Sequence, residues 1–130
     1  MLIEKCGYNE IAGFKEEAAK ENVYIADIQG CQWFKIVEQG RIIGFGGVII
    51  QGDEARFKSD YILKEFRGKQ YYFKLWEERF KFCNEKGVKK ISAYVTDKAL
   101  RMFRHKGFKV IWKDNFSGYT IVEKEADIWI

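Results

Sequence analysis

Proline is absent from all 130 residues. Turns must therefore be made by Gly, Asn and Asp, and Gly7, Gly13, Gly30, Gly40, Gly52, Gly87, Gly107 and Gly118 are spaced for that work. The three cysteines, Cys6, Cys31 and Cys83, are widely spaced and form no CxxC pair, and His105 is the single histidine, so the ligand spacing of a closed structural zinc site is missing. An odd cysteine count without a leader-like N-terminal stretch predicts a reducing, cytoplasmic setting. No apolar run approaches the roughly 20 residues that a membrane-crossing helix needs. Internal repeats, linkers and low-complexity segments are also missing. The net charge of +4 suits an anionic ligand but falls short of the basic stripe of a dedicated nucleic-acid binder. A solvated surface with a slight excess of lysine accounts for most of it.

What the chain does hold is apolar and aromatic mass. Apolar residues make up 47% and charged residues 32%, which is the composition of a folded globular chain. Aromatics reach 17%, with 11 Phe, 7 Tyr and 4 Trp, so an aromatic-heavy core is expected. The length suits one domain spanning residues 1–130. Cys31 opens a strand-like run after Gly30 and reads as structural.

The pattern predicts these elements in order. Residues 1–6 form a short strand, and Asn9 caps a helix over 10–21 with Ile11, Phe14 and Ala18 on its apolar face. Residues 22–30 carry no clear signal. Two β-rich runs between Trp33 and Ile50 flank Gln39-Gly40, a tight-turn pair. After a turn at Gly52-Asp53, Glu54–Leu63 forms a third antiparallel strand. There Ala55, Phe57, Ser59, Tyr61 and Leu63 alternate onto one face while Ile62 is apolar as well, and a bulge near the strand's end would reconcile the two. Lys69–Lys86 is a long helix with Tyr72, Trp76, Phe80 and Cys83 at helical spacing, an outer Glu77–Lys81 pair and a stop at Gly87. A strand over Lys90–Val95, a helix over Asp97–His105 and a hairpin of Phe108–Trp112 and Ser117–Glu123 complete the set. This order implies an α+β sheet domain.

The segment from Tyr61 to Leu75 carries the functional signal. It reads as a strand, a turn bearing Arg67-Gly68-Lys69, and the start of the long helix. Such a turn exposes helix N–H groups that have no partner inside the helix. Those donors, the helix dipole and two cations favour a phosphate or pyrophosphate. Without the flanking elements, Arg67 and Lys69 would read as ordinary surface charges. The Tyr72/Trp76/Phe80 stripe is assigned to core packing.

With these residues at these places the chain resembles the GNAT acetyltransferase superfamily. The resemblance covers roughly the whole chain in element order, and its motifs lie in residues 41–108. The family's Arg/Gln-x-x-Gly-x-Gly/Ala loop is matched by Arg67-Gly68-Lys69-Gln70-Tyr71-Tyr72. Its Asn-x-x-Ala-x-x-x-Tyr-x-x-x-Gly-Phe pattern is similar to Thr96-Asp-Lys-Ala99-Leu-Arg-Met-Phe103-Arg-His-Lys-Gly107-Phe108. Gln70 and Tyr72 stand where the family has small residues, Thr96 where it has Asn, and Phe103 where many members have the Tyr that protonates the departing thiolate. The resemblance implies a mostly antiparallel twisted sheet of six to seven strands flanked by three to four helices. It implies acetyl-CoA as acyl donor and a primary amine as acceptor, joined by direct attack. The amide at or beside Ile62 would polarise the acetyl carbonyl, and main-chain groups of Leu63 and Lys64 would pair with the pantetheine arm. The loop residues Arg67 to Tyr72, with Thr96 and Phe103, would complete the cofactor site.

For proton transfer the candidates are Asp60, on the cofactor strand, and Tyr94, on its neighbour. Each also has a bland reading, Asp60 as a solvated strand residue and Tyr94 as a core aromatic. His105, in a helix's last turn, reads as structural. Two other uses of the fold are carried beside the enzyme. One is a catalytically silent domain that binds CoA or a protein, favoured by Phe103. The other is a nucleic-acid-directed protein, suggested by the basic balance and by Trp112, Tyr119 and Trp129. An acidic acceptor groove could be built from Glu16, Glu17, Asp27 or Asp53. The apolar tail at 126–130 suits a final strand, a flap or a homodimer contact.

Overall fold

The computed structural model describes residues 1–125, the side chain of Lys98 excepted. The expected tail strand at 126–130, with Trp129, lies outside the described residues. Seven strands form one sheet: β1 (Leu2–Cys6), β2 (Cys31–Glu38), β3 (Arg41–Gln51), β4 (Glu54–Ile62), β5 (Lys90–Val95), β6 (Lys109–Lys113) and β7 (Thr120–Glu125). Their order across the sheet is β1-β2-β3-β4-β5-β7-β6, and every pairing is antiparallel except that of β4 with β5. The helices are α1 (Tyr8–Ile11), α2 (Lys15–Ala19), α3 (Tyr71–Glu85) and α4 (Asp97–His105). The fold is the expected α+β architecture. No described helix is long and apolar enough to cross a membrane.

Each face of the sheet is closed by aromatic packing. On one face, Phe57 of β4 meets Trp76 of α3 at 6.1 Å, and Phe103 of α4 lies 4.5 Å from Trp76. On the other, Phe14 beneath α1 and α2 packs on Phe45 and Tyr61, and Tyr8 packs on Trp33. Tilted pairs of this kind contribute about 0.5–1.5 kcal/mol each beyond the area they bury. Helix α4 ends as its sequence predicts. Gly107 takes φ +91°, and the Phe108 N–H reaches back to the Phe103 carbonyl at 3.1 Å.

Several boundaries differ from expectation. The first helix begins at Tyr8, because Gly7 takes the cap position and donates its N–H to the Glu10 carboxylate at 3.1 Å. Asn9 therefore sits inside the first turn. The helix is also interrupted by a 3-10 turn at Ala12–Phe14 and ends at Ala19. On α3, Glu77 pairs with Lys74 at 3.5 Å rather than with Lys81.

The bulge in β4 decides the site. Phe45 pairs with Tyr61 and Gly47 with Lys58, so Ser59 and Asp60 together oppose Gly46. Ser59 takes a left-handed φ of +58°. The extra residue slips the alternation. Phe57 and Asp60 consequently face α3, while Tyr61 turns to Phe14 and Phe45 on the opposite face. The expected single face of Ala55, Phe57, Ser59, Tyr61 and Leu63 is thus split at the bulge.

Candidate active site

β4 and β5 pair only from Glu54–Lys90 to Phe57–Ala93. Beyond that they diverge, and the wedge between them is an open cleft. Leu63 donates its N–H to the Ile43 carbonyl at 2.8 Å. Antiparallel ladders alternate, so the N–H of Ile62 points the other way, to the edge that β5 has left. A main-chain donor therefore stands at the base of the wedge.

The wedge has two mouths. One, of about 270 Å³, is lined by Ile62, Arg67, Gly68, Lys69, Tyr72 and Met102 among others. The second, of about 300 Å³, is lined by Arg56, Lys58, Tyr94, Phe103 and Tyr119 among others. Val23, Asp60, Tyr72, Thr96 and Ala99 line both, so they form the passage between them. The segment without a sequence signal walls this passage. Ser59 Oγ donates to the Tyr24 carbonyl at 2.6 Å and the Tyr119 hydroxyl to the Asn22 carbonyl at 3.1 Å. The strained bulge residue thus fastens the wall of the cleft.

The floor is an ion pair. Arg79 of α3 is fully buried and meets Asp60 twice, Nη1 to Oδ1 at 2.5 Å and Nη2 to Oδ2 at 2.8 Å. Its guanidinium also lies 4.2 Å from the Phe57 ring centre. The Tyr72 hydroxyl donates to Asp60 Oδ2 at 2.5 Å. Burial, then the charge of Asp60, push that phenol well above its usual range, so it stays protonated.

The expected site residues divide as follows. Asp60, Ile62, Arg67, Gly68, Lys69, Tyr72, Thr96 and Phe103 meet around the wedge. Asp60 is neither solvated nor open, since both oxygens serve Arg79. Tyr94 is not a core aromatic. It is 56% exposed, stands at the second mouth and has Arg56 5.4 Å from its ring centre. Tyr72 exceeds its assignment as simple core stripe, because it lines both mouths. Phe103 is buried against Trp76 and Phe108. Thr96 precedes the first turn of α4 as its cap residue.

Leu63 has little left for an added strand. Its N–H is spent on Ile43 and its carbonyl accepts from Phe66 at 2.9 Å, because a 3-10 turn at Lys64–Phe66 follows at once. The Lys64 carbonyl accepts from the Arg67 N–H at 3.3 Å. Gln70 caps α3 and is exposed. Tyr71 turns away from the wedge, packing on Phe66 and donating to Glu38 at 2.9 Å. Arg67 is not a free surface cation. Its Nε donates to the Ile62 carbonyl at 2.7 Å and its Nη2 meets Glu21 at 2.6 Å. Gly68, at φ +76°, Lys69 and Tyr72 of the first turn of α3 line the first mouth.

Sequence reasoning missed Arg79, Ser59 and the pair Arg56 and Lys58. Arg79 left a signal. It lies three residues after Trp76 on the apolar stripe of α3, and a charge there must find a buried partner. Burial raises all three cysteine thiols, Cys6 to about 11 and Cys83 to about 12, which disfavours their thiolates. His105 is exposed at the end of α4.

The acetyltransferase (GNAT) domain family model matches residues 2–122, and the chain belongs to that family. No curated protein matches this sequence. Among solved structures, an aminoglycoside 6'-N-acetyltransferase complexed with coenzyme A superposes with a TM-score of 0.80 at 13% identity, over 97% of each chain. The ribosomal-protein-S18-alanine N-acetyltransferase of Escherichia coli gives 0.79 at 12% identity, over 96% of this chain and 93% of that one. The PaiA N-acetyltransferase of Thermoplasma acidophilum, in complex with coenzyme A, gives 0.70 at 22% identity, over 90% and 67%. At these identities the likeness is one of fold.

Proposed function

We propose that this chain is an acyl-CoA-dependent N-acyltransferase that moves an acetyl group from acetyl-CoA to a primary amine by direct attack. One observation carries the reading: the Ile62 N–H points to the unpaired edge where β4 and β5 part, in the wall of the first mouth and two residues along β4 from Asp60, which lines the passage to the second. The residues of the first mouth suit the donor. The amides at the start of α3, Gly68 and Lys69 would hold the pyrophosphate, and the wedge between β4 and β5 would take the arm. The bound thioester supplies the activated acyl group. Against its carbonyl oxygen, the Ile62 N–H supplies a fixed donor for the charge that develops on attack.

The remaining chain braces and lines the site. Asp60 and Arg79 brace the bulge that aims this donor, so Asp60 serves as a strut and not as the base. Tyr72 lines the passage and Phe103 the second mouth, placing ring surface beside the reacting centre. Tyr94, open at the second mouth, is the hydroxyl proposed for proton transfer, from the amine or to the departing thiolate. Phe103 cannot supply one.

Two tests follow. Lys69→Glu should weaken CoA binding about tenfold with an unchanged melting temperature, since an exposed turn charge contributes little to folding. Calorimetric titration reads the affinity, and undiminished binding would remove the turn from the pyrophosphate site. Tyr94→Phe should lower kcat at least tenfold at unchanged KM for acetyl-CoA. Full activity would hand the proton to water.

A further inference from the structure

The second mouth carries a charge pattern that bears on the acceptor, given the acyltransferase reading. Arg56 and Lys58 lie two residues apart on β4, hence on one face, before the bulge. Among the described residues neither forms an ion pair with a carboxylate. Among the described residues the one carboxylate lining this mouth is Asp60, and both of its oxygens are held by Arg79. The acidic groove expected from Glu16, Glu17, Asp27 and Asp53 is not here, as none of the four lines this mouth. Lys58 is half-buried; burial lowers its ammonium pKa most, Arg56 adds to the lowering, and Cys31 opposes it. Two adjacent cations in a partly dry cleft oppose each other, and a bound anion relieves both.

We propose that the acceptor is an amine that also bears an anionic group, a carboxylate or phosphate, which Arg56 and Lys58 hold at the second mouth. The planar guanidinium of Arg56 can meet two oxygens at once, and its place against the Tyr94 ring limits its freedom. Lys58 adds a point charge beside it. The cleft runs from these cations toward the Ile62 amide, a separation along an extended strand of about 13 Å from Lys58 and about 20 Å from Arg56, and less through the bulge. The amine and the anion are therefore separated by a spacer, as in a peptide-like acid, rather than sharing one carbon. The same field turns polycationic amines away.

The test pairs each acceptor with its neutralised twin. Dipeptides with a free carboxylate are compared with their carboxamides, and phosphoethanolamine with ethanolamine, under acetyl-CoA with thiol release followed. The acid forms should show kcat/KM at least tenfold above their twins. In a variant carrying Arg56→Gln and Lys58→Met the preference should fall to about twofold or less, with CoA affinity unchanged. A wild-type preference for neutral or cationic amines, or a preference that survives in the variant, overturns the assignment. CoA affinity is titrated separately. Should CoA not bind, the acyltransferase reading fails by itself, and the acid and amide twins are then compared by direct binding. Equal affinities, or none for either twin, overturn the anion assignment.

Discussion

Replacing Asp60 with leucine should lower stability by about 3–5 kcal/mol, the cost of stranding a buried guanidinium. Arg79 is fully buried, and the Asp60 side chain is 11% exposed, so water cannot take over the role of the carboxylate. For a chain of this length the loss corresponds to a melting-temperature drop of roughly 10–20 °C. The same physics predicts rescue. A charged pair in an apolar setting often contributes little net stability, because desolvation offsets the attraction. Asp60→Leu combined with Arg79→Met should therefore regain most of what the single change loses, a coupling well outside additivity. Denaturant melts of the two single variants and the double variant check this. Single costs below about 1 kcal/mol, summing in the double, would refute the strut.

Gly46→Ala should cost about 3 kcal/mol, the upper part of the range for overpacking a tight interior. A Cβ at Gly46 would stand 2.7 Å from Asp60 Oδ1, 2.9 Å from Arg79 Nη1 and 3.1 Å from Leu75 Cδ2. The two charged atoms cannot yield independently, because each holds the other. The methyl group must therefore displace the ion pair and with it the bulge that Gly46 opposes. Gly13→Ala is the matching control, since nothing lies within 4 Å of its added Cβ. It should fall within about 0.5 kcal/mol of the parent. Chemical denaturation of both variants separates the two cases. A Gly46→Ala protein as stable as the control would mean that the ion pair has room to move.

Much of the fold was legible because hydrophobic period and turn chemistry agreed. Gln39-Gly40 and the Gly107 stop mark turns that only a few residues can make. The bulge was also visible, since Ile62 broke the alternation of β4. Its position was not, because alternation shows that a slip occurs but not at which residue. This misplaced Tyr61 relative to Phe57. The candidate site was legible as a segment, and side-chain commitments were not. Arg67 and Asp60 are both charges near the right turn, yet one holds Glu21 and the other Arg79, partners 46 and 19 residues away. Such pairing depends on how α3 and the cleft wall pack against β4, which no local pattern encodes. The wall itself, residues 22–30, has no periodic signal because Ser59 and Tyr119 hold it by its main chain.

The central claim is that the edge opened between β4 and β5 receives an acyl-CoA. Titration of isotope-labelled protein with CoA, followed through the backbone amide resonances, tests it most directly. Micromolar-range binding should shift the amides of Ile62, Gly68, Lys69 and Tyr71 together, with Gly13 unmoved. Saturation without change at Ile62 and Gly68, or no shift anywhere, would contradict the account.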